Sequence, residues 1–151
     1  MADKPIAIVT GVGPGTGTAI VRRFATEGFR VVALARSPER IRSLERELPD
    51  THAVICDVSS QSQVADVVAE TRKRYGAPSV LVHNAVGGGW GTFSEIEPQM
   101  LDRNFQVNVM GLLYLARKVA PDMIKAGKGT ILVTGNTSAI RGTSITASIS
   151  R

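Results

Sequence analysis

The sequence contains almost no cysteine and no long apolar run. Cys56 is the only cysteine among 151 residues, so a disulfide within the chain is excluded and a reducing compartment, the cytoplasm, is expected. The polar start at Met1–Pro5 leads into a short apolar segment, which is neither a signal peptide nor a membrane span. We therefore expect no membrane partner.

Basic residues are present but form no cluster. The net charge of +5 would by itself suit a nucleic-acid-binding protein. However, Arg40, Arg42 and Arg46 sit among glutamates, as on a solvated helix face. The group Arg72–Arg74 follows Glu70 near a predicted helix end, where cations complement the helix dipole. We therefore expect no nucleic-acid partner, and RNA binding is the least favoured alternative.

Low-complexity and charged blocks are also absent. Apolar residues make up 43% of the chain, which supports a packed core rather than disorder. The length suits one domain, predicted over residues 1–151. Short apolar runs predict five strands, at residues 6–9, 31–35, 53–56, 80–82 and 131–133.

Helical patterns separate these strands. Helices are predicted after Gly17, from Ser37–Pro38, from Ser59 or Ser60, and from Phe105 to Met123. The last keeps a 3.6-residue apolar rhythm, and Pro121 is expected to bend it rather than end it. Apolar strands alternating with helices predict an α/β fold with a parallel sheet covered on both faces. Right-handed crossovers leave a doubly wound, Rossmann-like sheet as the main option.

A glycine-rich segment, Thr10–Gly17, follows the first strand and opens the first helix. Glycines there allow a tight turn and let a pyrophosphate approach backbone N–H groups at the helix N-terminus. An ordinary glycine turn is the alternative, but a strand before and a helix after are what a dinucleotide fingerprint requires. We therefore predict cofactor binding at Gly11, Gly13, Gly15, Thr16 and Gly17.

The end of the second strand bears on the choice of dinucleotide. A site for NAD tends to place an acid there for the ribose 2′-hydroxyl, whereas this chain has Ala35 followed by Arg36. A guanidinium can hold a 2′-phosphate through charge-assisted, often bidentate bonds. A surface arginine at a helix start is the alternative. The position favours NADP(H) over NAD(H), with Arg36 as a binding residue.

Four short motifs follow one another along the chain: Thr-Gly-x-x-x-Gly-x-Gly at Thr10–Gly17, the pair Asp57–Val58, His-Asn-Ala-Val at His83–Val86, and Asn-x-x-Gly at Asn108–Gly111. In this order they resemble the motifs of the short-chain dehydrogenase/reductase family. The third resembles the family's Asn-Asn-Ala-Gly with its first and last members changed, and the sequence identifies no partner for His83. The resemblance covers almost the whole chain but only the front portion of a typical member.

The resemblance implies roles for single residues. Asp57 and Val58 would contact the adenine ring, and Asn84 and Ala85 would bind the cofactor. Asn108 would assist a relay of a catalytic lysine and water. Plainer roles stay open, because Asn84 could bond the backbone at a strand end and Asp57 could cap the next helix.

The tyrosine–lysine pair that the family's chemistry needs is absent. A phenol, with a pKa of about 10, needs a lysine four residues later to act as a general acid/base near neutrality. The pair belongs on the helix after the fifth strand, at about the point where this sequence ends with Arg151. Tyr114–Lys118 matches Tyr-x-x-x-Lys but precedes the fifth strand, so we interpret Tyr114 as a packing or interface residue.

The family's serine is expected just after the fifth strand. Asn136 stands at the usual position, with Thr137 and Ser138 just beyond, and a hydroxyl there could polarise a substrate carbonyl. A serine that caps a turn is the alternative. Asn108 and Ser138 are the residues predicted for the catalytic site, and no metal ligands are predicted.

The resemblance implies an NADP(H)-dependent oxidoreductase for a carbonyl or alcohol on a small molecule, expected to be inactive in this shortened form. A catalytically silent dinucleotide-binding or regulatory module is the alternative. Since the family's later strands and helix would be missing, the sheet is expected to be incomplete at its C-terminal edge, near Ile131–Val133. Such an edge predicts a homo-oligomer or an aggregation-prone chain.

Overall fold

A computed structural model describes residues 4–89, 91–137 and 140 of the chain. Five strands are present in these residues: β1 Ile6–Thr10, β2 Arg30–Ala35, β3 Thr51–Ile55, β4 Val80–His83 and β5 Thr130–Val133. All pair in parallel, in the order β3-β2-β1-β4-β5. Five helices connect them: α1 Thr16–Thr26, α2 Pro38–Glu47, α3 Gln61–Tyr75, α4 Pro98–Phe105 and α5 Gly111–Lys125. This is the doubly wound, Rossmann-like α/β fold that the alternating pattern predicts.

Separate apolar clusters cover the two faces of the sheet. Successive strand side chains point to opposite faces, so the five buried residues of β1 contribute to both clusters. Ile8 packs in the cluster that contains Leu115 of α5, and Val9 packs in the cluster that contains Val21 of α1. Burial on both sides explains why the first polar residue of β1 is its last, Thr10.

The strand order reverses between β1 and β4, and this reversal positions the site. The chain builds β1, β2 and β3 outward in one direction and then returns to place β4 and β5 on the other side of β1. A crevice forms at the carboxyl ends of strands at such a switch point, where ligands of this fold bind. Here β1 ends at Thr10 and β4 ends at His83, so the segments that follow these two strands border that crevice.

Strand β3 differs from its predicted bounds, residues 53–56. It starts at Thr51, whose register partner is Val31, and it ends before Cys56. The strand lies at a sheet edge, so polar residues are tolerated and the apolar run marks only part of it. Thr51 is nevertheless 2% exposed, because it pairs with a fully buried stretch of β2.

The predicted long helix differs in its start and in its buried face. It begins at Pro98, a favourable first helical residue, and a π-helical turn at Gln106–Met110 separates α4 from α5. An apolar rhythm counted from Phe105 predicts Val109 and Leu113 on the buried face, and this prediction is wrong: Phe105, Val109 and Leu113 are about half exposed. The buried face of α5 runs instead through Leu115, Val119 and Met123, at four-residue spacing.

Strand β5 forms one edge of the sheet, with Ile131, Leu132 and Val133 exposed by 39%, 45% and 55%.

Pro121 lies inside α5, which continues to Lys125, so the proline does not end the helix. In the part of the chain that the structure describes, none of the helices has the length and apolar character needed to cross a membrane.

Candidate dinucleotide-binding site

A cleft of about 370 Å³ lies at the switch point of the sheet. It is bordered by the turn after β1, the ends of β2 and β3, and the segment after β4. The ten residues predicted to bind the cofactor all line it: Gly11, Gly13, Gly15, Thr16, Gly17, Arg36, Asp57, Val58, Asn84 and Ala85. Residues far apart in the sequence are thus brought to one surface.

The glycine turn presents the start of α1 to this cleft. Helix α1 begins at Thr16 after Gly15, and the first N–H groups of a helix have no partner within it. With the positive end of the helix dipole, they attract an anion. A Cβ atom built at Gly13 or Gly15 would meet no atom within 4 Å, so the backbone is open on that side. A phosphate can therefore approach the main chain there.

Gly11 and Gly17 are constrained by packing instead. Gly11 has φ of +66°, and a Cβ atom there would lie 2.4 Å from the Ala85 Cα atom. A Cβ atom at Gly17 would lie 2.5 Å from the Gly11 carbonyl oxygen. Both glycines allow the turn after β1 to lie directly against α1 and the segment after β4.

The Thr10 hydroxyl joins the turn after β1 to the segment after β4. Its oxygen accepts hydrogen bonds from the backbone N–H groups of Asn84 and Ala85, each at 3.2 Å. The Asn84 side-chain amide donates to the Gly11 carbonyl at 2.9 Å, and the Thr134 hydroxyl donates to the Asn84 Oδ1 atom at 3.0 Å. Asn84 therefore has the backbone-bonding role foreseen as its plainer alternative, and its contact with a cofactor stays a prediction.

The residues after β3 form the far wall of the cleft. The Asp57 carboxylate accepts from the Ser59 N–H at 3.0 Å and the Ser59 hydroxyl at 2.7 Å, while Ser60 caps α3 by accepting from the Gln63 N–H. Ser60 is thus the cap, rather than Ser59 or Asp57. Burial and the neighbouring Asp57 charge raise the pKa of the Cys56 thiol to about 11, so this lining residue is protonated at neutral pH.

Arg36 supplies the positive charge of the cleft. It lies exposed just beyond β2 and lines the cleft together with Ser37. Within residues 4–89, 91–137 and 140, no carboxylate forms an ion pair with it. Its guanidinium donors are therefore available to an anionic ligand.

The residues predicted for catalysis are not gathered in the cleft. Asn108 lies in the π-helical turn, and its Oδ1 atom accepts a hydrogen bond from the Gly87 N–H at 2.7 Å. Asn108 therefore fixes the position of the loop after β4. Asn136 and Thr137 follow β5 and are exposed. Ser138 lies outside the described residues, so its predicted role is not placed. Tyr114 packs against the core beneath the sheet and does not line the cleft.

Sequence reasoning gave no role to several residues that line the cleft, among them Val86 and Val107, and identified no partner for His83, which is 2% exposed. The His83 ring contacts the Thr10 hydroxyl through Nδ1 and the Val107 carbonyl through Nε2, each at 3.2 Å. The sequence did contain one sign that His83 is unusual, since it is a histidine at the end of an otherwise apolar strand. Its hydrogen-bond partners could not be found in this way, because they come from distant segments.

An open glycine turn and a helix N-terminus at the switch point form the arrangement that doubly wound α/β proteins use for dinucleotides. The model of the short chain dehydrogenase family matches residues 5–148, and the chain belongs to this family.

Relatives and solved structures agree with the family. The chain is 36% identical over 126 residues to farnesol dehydrogenase from Aedes aegypti, covering 80% of this chain and 51% of that protein. A crystal structure of an actinorhodin polyketide ketoreductase variant with NADPH superimposes with a TM-score of 0.92 at 32% identity, covering 98% of this chain and 59% of that one. A metagenomic short-chain oxidoreductase in complex with NADP superimposes with a TM-score of 0.89 at 31% identity, covering 97% of this chain and 68% of that one. The chain spans about half the length of the curated relatives it matches.

The contrast between the glycines gives a stability prediction. Alanine in place of a helical glycine normally adds up to about 1 kcal/mol of stability. At Gly17 the new Cβ atom would meet backbone at 2.5 Å, so we expect Gly17→Ala to lower the free energy of unfolding by about 1–3 kcal/mol. The matched control Gly13→Ala, which meets nothing, should change it by less than about 0.5 kcal/mol. Urea unfolding followed by circular dichroism checks this, and equal effects of the two substitutions would contradict it.

Proposed function

We propose that the chain binds NADP(H) in the switch-point cleft, as an oxidoreductase of this family would for hydride transfer between the nicotinamide and a carbonyl or alcohol of a small molecule. We also propose that the 151 residues themselves give no turnover, because neither of their tyrosines lines the cleft. The observation that carries the proposal is the shared position of Arg36 and the open glycine turn in one cleft. We also infer that residues 1–151 act as one domain and, from the single cysteine, that the protein is cytoplasmic.

The residues present fit the dinucleotide part by part. The pyrophosphate would lie against Gly13 and Gly15, where no Cβ atom fills the space, and beside Thr16, where the helix N-terminus presents N–H groups. The adenine would lie near Asp57 and Val58 at the end of β3. When bound, the nicotinamide supplies the hydride, and the protein contributes orientation and electrostatics.

Arg36 is the basis for preferring NADP(H) over NAD(H). The cleft has no acid at the end of β2 to accept from a ribose 2′-hydroxyl, because Ala35 and Arg36 occupy those positions. A 2′-phosphate would form charge-assisted bonds with the guanidinium. The NADPH and NADP named with two similar solved structures support the same choice.

A catalytically silent dinucleotide-binding module is the second candidate. The sequence has two tyrosines, Tyr75 and Tyr114, and both pack against the apolar core rather than lining the cleft. Neither can donate a proton to a substrate held beside the cofactor. Turnover, rather than binding, separates the two candidates.

The cofactor preference predicts a change in binding ratio. Arg36→Asp should lower NADPH affinity about 10–100-fold and spare NADH, because a charge-assisted contact contributes roughly 1.5–3 kcal/mol. Titration calorimetry with both cofactors measures the ratio. Arg42→Asp makes the same change in charge on the exposed face of α2 and serves as control. A ratio of NADPH to NADH affinity that stays the same in Arg36→Asp would rule out Arg36 as the residue that binds the 2′-phosphate.

The positions of the tyrosines predict the outcome of activity assays. The 151-residue chain should reduce no aldehyde or ketone above background with NADPH, because its tyrosines lie outside the cleft. Absorbance at the nicotinamide band over a broad substrate panel measures this. Turnover that is lost in Tyr114→Phe would show instead that α5 supplies the acid and that the geometry of the reaction is different.

The exposed edge predicts association. Among the described residues no strand pairs with the outer side of β5, and Ile131, Leu132 and Val133 are exposed there, which makes a template for pairing with another chain. We expect the 151-residue chain to form oligomers or aggregates, and NADPH to raise its melting temperature by mass action. Light scattering and thermal melts with and without NADPH measure both effects. A monodisperse monomer with a high, cofactor-independent melting temperature would contradict this prediction.

A further inference from the structure

His83 is buried between the two segments that hold the cleft together. Its ring touches the Thr10 hydroxyl on one side and the Val107 carbonyl of the π-helical turn on the other. Thr10 precedes the glycine turn, and Val107 itself lines the cleft. His83 is therefore the link between the turn after β1 and the turn that carries Asn108.

The hydrogen bonds around Thr10 determine the protonation state of the ring. The two lone pairs of the Thr10 oxygen accept from the Asn84 and Ala85 N–H groups. The hydroxyl hydrogen is thus left for the Nδ1 atom of His83, which must accept it. The Nε2 atom then carries the ring hydrogen and donates to the Val107 carbonyl. The contacts require a neutral imidazole with hydrogen on Nε2.

A second proton on His83 breaks this arrangement. The new Nδ1–H group would face a Thr10 oxygen whose lone pairs are already in use and whose own hydrogen points back at it. Thr10 would have to release the Asn84 or the Ala85 N–H group. Since Ala85 packs directly on Gly11, this release would loosen the cleft wall where the cofactor lies.

We propose that His83 is a positioning residue that, in its neutral form, holds the cleft in its dinucleotide-binding shape and releases it on protonation. The inference rests on the proposed binding of NADP(H). His83 itself does not line the cleft, so it acts through Thr10, Asn84 and Ala85.

The surroundings of the ring agree with a neutral histidine. Burial lowers its pKa, and acceptance by the Val107 and Asn108 backbone offsets this in part. The neighbouring elements contribute Thr10 from β1, the register partner Val133 of β5, and Thr134, whose N–H donates to the His83 carbonyl. None of these is charged, and no charged side chain of the described residues contributes to the shift.

The direction of the pH effect follows from the lowered pKa. The folded state binds fewer protons at His83 than the unfolded state, so the contribution of neutral His83 to the stability of the fold is complete above the ordinary pKa of 6.5. This stability is lost as the pH falls from 6.5 through the lower pKa of His83 in the folded protein. NADP⁺ affinity should fall as the pH falls through the lowered pKa of His83 in the folded, unbound protein, because protonation there releases the cleft.

The test compares NADP⁺ binding at pH 7.5 and pH 5.5 in matched variants. The wild type should lose more affinity than His83→Asn, which cannot titrate, because only the wild type gains a proton at this position as the pH falls. Protonation of the 2′-phosphate, with a pKa of about 6, affects both proteins equally and cancels. His52→Asn removes the only other histidine and should behave as wild type. Equal pH dependence in wild type and His83→Asn would overturn the proposal.

A measurement without cofactor separates this proposal from the proposed function. Nitrogen-15 NMR of the imidazole rings should show a neutral His83 with hydrogen on Nε2 at pH 6.5, and Asn84 and Ala85 amides that lose protection on acidification in wild type but not in His83→Gln. A protonated ring, or hydrogen on Nδ1, would overturn the role of His83 whether or not NADP⁺ binds. Absence of NADP⁺ binding at pH 7.5, with these NMR signatures intact, would instead refute the proposed function.

Discussion

The close backbone contact between Gly11 and Ala85 is the constraint on which the cleft depends. No side chain fits between them, since even a Cβ atom at Gly11 would lie 2.4 Å from the Ala85 Cα atom. Strand pairing places β1 and β4 side by side, and this contact extends their association past the ends of both strands. The positions of the glycine turn, the start of α1 and the segment after β4 all follow from it.

Hydrogen bonds hold the turn after β1 and the segment after β4 in the positions that bring Gly11 against Ala85. The Thr10 hydroxyl serves two backbone N–H groups and one histidine nitrogen, and the Asn84 amide returns a bond to Gly11. Because these groups are buried or half-buried, each lost bond would leave an unsatisfied polar group at a cost of about 1–3 kcal/mol. A network of this kind favours one arrangement of the cleft over small displacements.

The open parts of the cleft are those a dinucleotide would fill. Gly13 and Gly15 present bare backbone, and Arg36 presents a cation that no described carboxylate neutralises. Arg36, which we propose as a ligand-binding residue, is left without an ion pair among the described residues, whereas the polar groups that build the scaffold are paired. This division separates Arg36 from Asn84 and Asn108, whose side chains are already engaged with the backbone.

Local patterns predicted most of the fold and the ten residues that line the cleft, because each is a strand end or a glycine turn next to an apolar run. They failed where the determinant was not local. Leu115 is buried because α3 and the sheet pack on its side of α5, and no residue type marks the π-helical turn before that helix. The pairing of Thr51 with β2 depends on the neighbouring strand. The partners of His83 come from residues 73 and 24 positions away, so only the folded chain reveals them.

Hydrogen–deuterium exchange with NADP⁺ at neutral pH tests whether the switch-point cleft is the dinucleotide site, because it locates the ligand and tolerates oligomers. We expect saturating NADP⁺ to slow exchange over residues 10–17 and 34–37 and to leave exchange on the exposed face of α2 unchanged. Unchanged exchange over residues 10–17, in a sample where calorimetry shows NADP⁺ to be bound, would contradict the assignment of this cleft as the dinucleotide site.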